Sequence, residues 1–235
     1  MKEFLFLLVV FSTNVIQGIT GFAGTVLAMP FTILLYGIDV AKPALTMLTT
    51  LACIFIVVRR YKDVAWKEFL KIFVLMFIGV FTGEYIYHFF QVGKLLQIYA
   101  AFIIIIAVMG LAKKRDADLS EGIMCSIVIL AGVIHGMFIS GGPLLIIYAV
   151  RKFPDKETFR STLSLIWISL NIYLMLKQYL SGLMTEATLG IAALGIPALL
   201  SGIVIGGILA KKMSQSFFLK LTYVLLIISG VSLLL

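Results

Sequence analysis

Long apolar blocks run through this chain, separated by short knots of charge, at about 4–37, 43–58, 69–87, 95–112, 122–150, 161–176, 187–210 and 217–235. Within them the strict alternation of a half-buried strand is missing, so each block predicts helix. A bilayer core ~30 Å thick needs roughly 20 residues at ~1.5 Å per residue. Six of the blocks fit that length. The first and fifth, about 30 residues each, are too long for one crossing, and both are interrupted by glycines: Gly18, Gly21 and Gly24 in the first, Gly136, Gly141 and Gly142 in the fifth.

Composition removes the alternative of a soluble core. The chain is 62% hydrophobic and 13% charged, with a mean hydropathy of +1.14, against about 25% charged residues in soluble domains. A lone chain spans lipid as helices or as a closed barrel, and long apolar blocks without alternation mean helices. The reading is an all-α integral membrane protein. The opening MKEFLFLLVVF resembles a signal sequence but has no clean small-x-small cleavage site after it, so it is expected to stay as the first helix.

The net charge of +8 is read as basic loops on one side of a membrane, not as a nucleic-acid surface. If every block crossed once, the 19 basic residues would divide ten against nine. If blocks one and five are hairpins that enter and leave on the same side, 15 fall on one side, leaving only Lys2, Lys42, Lys94 and Lys177 on the other. That bias selects the hairpins and puts both termini outside.

The chain then divides into two inverted repeats, each a broken-helix hairpin plus three transmembrane helices. The first is 1–112 with its hairpin at 4–37, the second is 122–235 with its hairpin at 122–150, and 113–121 is a cytoplasmic linker. Loose internal echoes support the division. GFAGTVLAMP matches FISGGPLLII, setting Gly24 over Gly141, and GVFTGEYI matches GIVIGGIL. Broken helices in inverted repeats are the usual build of secondary carriers.

Non-helical backbone at membrane depth is tolerated where protein or a water-filled cavity surrounds it. The tips Gln17–Gly24 and His135–Pro143 are each expected to start a new helix, at Thr25 and at Pro143, aimed at a common space near the midplane. A helix start offers unpaired N–H groups and a partial positive charge, which hold an anion without a buried lysine. The candidate substrate-binding residues are Gln17, Thr20, Gly21, Gly24, Thr25, His135, Ser140, Gly141 and Gly142, with Thr49 and Asn171 from the faces Thr46-Thr49-Thr50-Cys53 and Ser164-Trp167-Asn171. Gly79, Gly83, Gly202 and Gly206 read instead as close-packing positions. Arg160 is expected to snorkel from the start of its helix, with attraction of anions at the inner mouth as the other reading. Glu84 and His88, four apart, are either a proton-coupling pair or an interfacial pair. Cys53 and Cys125 read as packing residues.

At the two glycine tips the sequence resembles the TauE/SafE family of sulfite exporters and related anion permeases. GITGFAGTVLAMPF and GVIHGMFISGGPLLIIY carry the likeness. They are followed by KPALTMLTT and FRSTLSL, and joined by the loop RRYKDVAWKEF and the closing block LSGIVIGGILAKKMSQSFFLKL. Ala23 and Phe138-Ile139-Ser140 depart from the glycine-rich pattern. The resemblance implies paired helical repeats with a binding site between them, and outward transport of sulfite, a sulfonate or a sulfoacetate-like compound. A multi-pass protein of the cell membrane, with lipids and a small anion as partners, is the resulting expectation; protons are expected as a coupling ion because Glu84, His88 and His135 are the titratable groups at plausible depths. A passive anion channel is the second reading. A membrane-embedded enzyme is the third; HExxH, GxSxG and a Cys/His metal cluster are all missing from the sequence, and no metal or cofactor is expected.

Overall fold

The structure, a computed structural model, describes residues 1–87, 97, 100–101, 104–105, 107–108, 111–112, 120–138, 141–153 and 155–232. His88, Lys94, Ser140, most of the block at 95–112 and linker residues 113–119 lie outside the described residues. The described residues form helices and no strand, as an all-α membrane protein requires. Helix α1 is Lys2–Thr20, α2 Gly24–Tyr36, α3 Ile38–Arg60 and α4 Trp66–Tyr87. Next come α5 (Glu121–Phe138), α6 (Gly142–Lys152), α7 (Lys156–Leu180), α8 (Glu186–Lys212) and α9 (Gln215–Ser232). Among the described residues, five helices are long and apolar enough to cross a membrane: Lys2–Thr20, Ile38–Asp63, Trp66–Ile86, Lys156–Leu180 and Glu186–Lys212.

Both over-long blocks are broken. α1 ends at Thr20 and α2 begins at Gly24; α5 ends at Phe138 and α6 begins at Gly142. The second helix of each pair therefore starts one residue before its expected position. α7 runs well beyond the expected 161–176, because Lys156, Glu157, Arg160 and Lys177 sit in its terminal turns, where charge is tolerated.

The chain forms two compact units, Met1–Phe69 with Glu157–Met213, and Leu70–Lys156 with Ser214–Leu235. In the first unit Phe6, Val10, Ala28, Leu45, Leu48, Ala52, Ile56, Leu199 and Ile203 bring α1, α2, α3 and α8 to one buried core. α1 and α8 touch backbone to backbone. A Cβ on Gly18 would lie 2.9 Å from the Ile203 carbonyl oxygen, and one on Gly202 would lie 2.6 Å from that of Phe11. Lipid gives apolar surface no reason to leave it, so helices in a bilayer associate through such close packing.

The second unit uses the same device between α4 and α5. A Cβ on Gly79 would meet Ile129, one on Gly83 Val133, one on Gly132 Met76, and one on Gly136 Val80, each at the backbone carbonyl. Lys71 Nζ and Glu121 Oε1, at the starts of the same two helices, pair at 2.5 Å. The four glycines expected to serve packing, Gly79, Gly83, Gly202 and Gly206, all lie in these seams.

Candidate functional site

The interruption between α1 and α2 is built by three residues. Gly21 sits in the left-handed region (φ 82°), and its N–H closes the last turn of α1 on the Gln17 carbonyl at 2.7 Å. Glycine takes that conformation without the penalty a Cβ brings, and a Cβ here would also lie 3.0 Å from the Arg160 Cα. Gln17 then spans the gap. Its Oε1 accepts the Gly24 N–H at 2.8 Å, while Nε2 reaches the Gly21 carbonyl at 3.4 Å and the Cys53 sulfur at 3.5 Å. Gly24 must lack a side chain for this, since a Cβ would stand 2.9 Å from Gln17 Cβ and Oε1. The Thr20 hydroxyl donates to the Ile16 carbonyl at 2.9 Å and lies 3.4 and 3.5 Å from the N–H groups of Phe22 and Ala23.

Gln17 and Thr20 thus serve the break itself, as caps. Of the amides at the start of α2, Gly24 has the Gln17 oxygen and Leu27 closes the helix on Ala23. The N–H groups of Thr25 and Val26, in the first turn, have no carbonyl one turn back within α2. The Thr25 hydroxyl beside them is hydrogen-bonded to that of Thr49. All of Gln17, Thr20, Gly24 and Thr25 are buried.

Depth can be read along α3. Thr49 is the middle residue of Ile38–Arg60, so α2 runs beside only half of it. At 13 residues, or about 20 Å, α2 is too short for a ~30 Å core. α6, with 11 residues, is about 16 Å long. These are half-helices.

Arg160 departs from its sequence reading. It does not snorkel: the residue is 6% exposed, because two of its guanidinium nitrogens have protein partners in place of water. One arm donates to the Gly18 carbonyl in the last turn of α1, and the other donates to Glu157 Oε2 at 2.9 Å. Glu157 also faces Arg60 Nε at 3.7 Å. Nothing in the spacing of the sequence tied Arg160 to Gly18, because the pairing crosses from the first half of the chain to the second.

The remaining expected residues distribute as follows. Thr46 and Thr50 hydroxyls bond their own helix, to Lys42 and Thr46 carbonyls at 2.8 and 2.7 Å, the usual fate of hydroxyls in apolar helices. Asn171 is 3% exposed, and its Oδ1 has no hydrogen-bond partner. Ser164 is buried on the same helix. In the second unit, His135 is buried one turn before the end of α5, and Gly141 packs against it: a Cβ there would lie 2.7 Å from the His135 Cβ. Pro143 enters α6 in its first turn, where a missing N–H costs nothing.

A family model described as sulfite exporter TauE/SafE matches residues 5–233, which takes in both interrupted blocks and the helices described above apart from the first three residues of α1. The chain belongs to the TauE/SafE sulfite exporter family. The curated proteins and the solved structures contain no significant match to it. As a TauE/SafE member the chain is a multi-pass membrane protein of a transporter family, and an enzymatic role has no support from its family. The two glycine stretches that carry the resemblance are the places where the two over-long blocks are interrupted.

Proposed function

We propose that the protein is a secondary carrier exporting a small sulfur-containing or organic anion, such as sulfite, a sulfonate or a sulfoacetate-like compound. In this reading the anion is held at the start of α2 by the Thr25 and Val26 amides and by the Thr25–Thr49 hydroxyl pair. The observation that carries the proposal is the half-helix: α2 starts beside the middle residue of α3, in buried surroundings, and its Thr25 and Val26 amides have no carbonyl one turn back within the helix. An oxyanion suits such a site, since it accepts from several donors and is favoured by the helix dipole. Gly141 and Gly142, with His135 and Ser140, are proposed to serve the same purpose at the start of α6. Asn171 is proposed as a further donor or acceptor.

Inverted repeats and the excess of basic residues on one side lead us to place the chain in the cell membrane with both termini outside. A proton gradient is the proposed energy source, through Glu84, His88 or His135; an unchanged pH profile after replacing all three would remove it.

The test is flux into proteoliposomes with a panel of sulfite, sulfonates and carboxylates. A carrier gives saturable flux of at least one anion, and Thr25→Val with Thr49→Val lowers it at least tenfold while leaving a monodisperse protein. Non-saturating flux would identify a channel instead. Folded protein that moves none of the panel would overturn the proposal.

A further inference from the structure

The first unit contains a second place suited to an anion. Where the last turns of α3 and α8 meet the first turns of α7, a cavity of about 250 Å³ is lined by Arg59, Arg60, Arg160 and Lys211, with Phe55, Ile203 and Gly207 among its other walls. Four cations on so small a space need an explanation. Part of it is local: Arg59, Arg60 and Lys211 belong to helix C-terminal turns, where positive charge offsets the dipole. Arg160 has no such reason, being at the opposite pole of its own helix, near the start of α7. It is buried, it lines the cavity, and its Nε has no hydrogen-bond partner.

Glu157 shows what these cations bind. One of its carboxylate oxygens, Oε2, is shared by Arg160 at 2.9 Å and Arg60 at 3.7 Å, and Arg60 also pairs with Asp63 at 3.4 Å. The four cations around the cavity outnumber these two carboxylates. Guanidinium groups take oxyanions through forked, charge-assisted hydrogen bonds.

We propose that this cavity is an anion-receiving vestibule, a second and separate binding site for a small oxyanion: a sulfite- or sulfate-type ion, a sulfonate or a carboxylate. It lies toward the end of α3, eleven residues past Thr49, or about 16 Å along the helix from the start of α2. Arg160 ties it to the helix break through the Gly18 carbonyl. The proposal takes the carrier reading as given, but its site can be tested without transport.

Two substitutions address it independently. Lys211→Gln removes charge from an exposed position. Gly207→Leu removes volume, and a Cβ at Gly207 meets nothing within 4 Å, so the side chain can be accommodated. The measurement is calorimetric binding of sulfate and ethanesulfonate to the purified full-length protein at low ionic strength, in a Thr25→Val background that weakens the α2 site by removing one of its hydroxyls. Each substitution is expected to weaken binding by roughly tenfold, the loss of one charge-assisted contact or of the space itself. Glu157→Gln, which withdraws the competing carboxylate, is expected to tighten it. Sulfate and sulfonate binding indifferent to both Lys211→Gln and Gly207→Leu, or missing in the Thr25→Val parent, would overturn the vestibule and leave the cations as helix-end compensation. Loss of flux in Thr25→Val with vestibule binding intact separates this outcome from failure of the carrier reading.

Discussion

The guanidinium of Arg160 donates to the backbone carbonyl of Gly18, joining the start of α7 to the last turn of α1 across 142 residues of sequence. The carbonyl belongs to a helix end that has no further N–H to satisfy it, and the cation is buried. Each solves the other's problem. Arg160→Lys keeps the charge but loses the fork that reaches Glu157 and Gly18 together. It is expected to cost ~1–3 kcal/mol, read as a lowered midpoint of thermal unfolding in micelles; an unchanged midpoint would mean the tie contributes nothing.

Gly21→Ala tests the break. A residue with a Cβ pays about 1–2 kcal/mol at the left-handed conformation, and the new atom presses on the Arg160 Cα at 3.0 Å. The expected outcome is a destabilised protein with strongly reduced flux. Wild-type flux and stability would show that the turn at Gly21 is dispensable.

Paired glycine substitutions in α8 should have opposite consequences. Gly206→Ala drives a methyl into the Val15 carbonyl, whereas Gly190→Ala, on the same helix, meets nothing within 4 Å. The first is expected to lower the yield of folded protein, and the second to leave it unchanged or raise stability by up to ~1 kcal/mol. Equal behaviour in a detergent-resistance assay would contradict the α1–α8 seam.

Gln17 separates a capping role from a direct one. Gln17→Ala leaves the Gly24 N–H without its acceptor, a loss of about 1 kcal/mol by analogy with other helix caps. Gln17→Glu keeps an acceptor but adds a negative charge beside the start of α2, where the anion is proposed to sit. Flux per folded molecule should fall further in Gln17→Glu than in Gln17→Ala. The reverse order would count against an anion at this helix start.

The broken helices were legible in the sequence for a physical reason: a 30-residue apolar block is too long for one crossing, and Gly21 is the residue that the left-handed turn requires. The packing role of Gly202 and Gly206 was readable for the same kind of reason, small residues one turn apart on an apolar helix. The duty of Gln17 was not. Spacing shows a polar residue near the tip, but only the fold reveals that its amide closes the gap to Gly24. Arg160 was read as a snorkelling cation because hydropathy sees a charge at a helix end and cannot see the Gly18 carbonyl waiting for it. The cavity it lines draws on α3, α7 and α8, and no local pattern could assemble it.

One consequence lies at the two ends of α2. Its neighbour α1 interlocks with α8 through backbone-to-backbone contacts, and α2 itself is bounded by two positive-φ glycines, Gly21 at 82° and Gly37 at 79°. A Cβ on Gly37 would touch nothing within 4 Å, whereas one on Gly21 would press on Arg160. The far end of α2 is therefore guarded by backbone conformation alone, and the near end, where the amides lie, by conformation and crowding together.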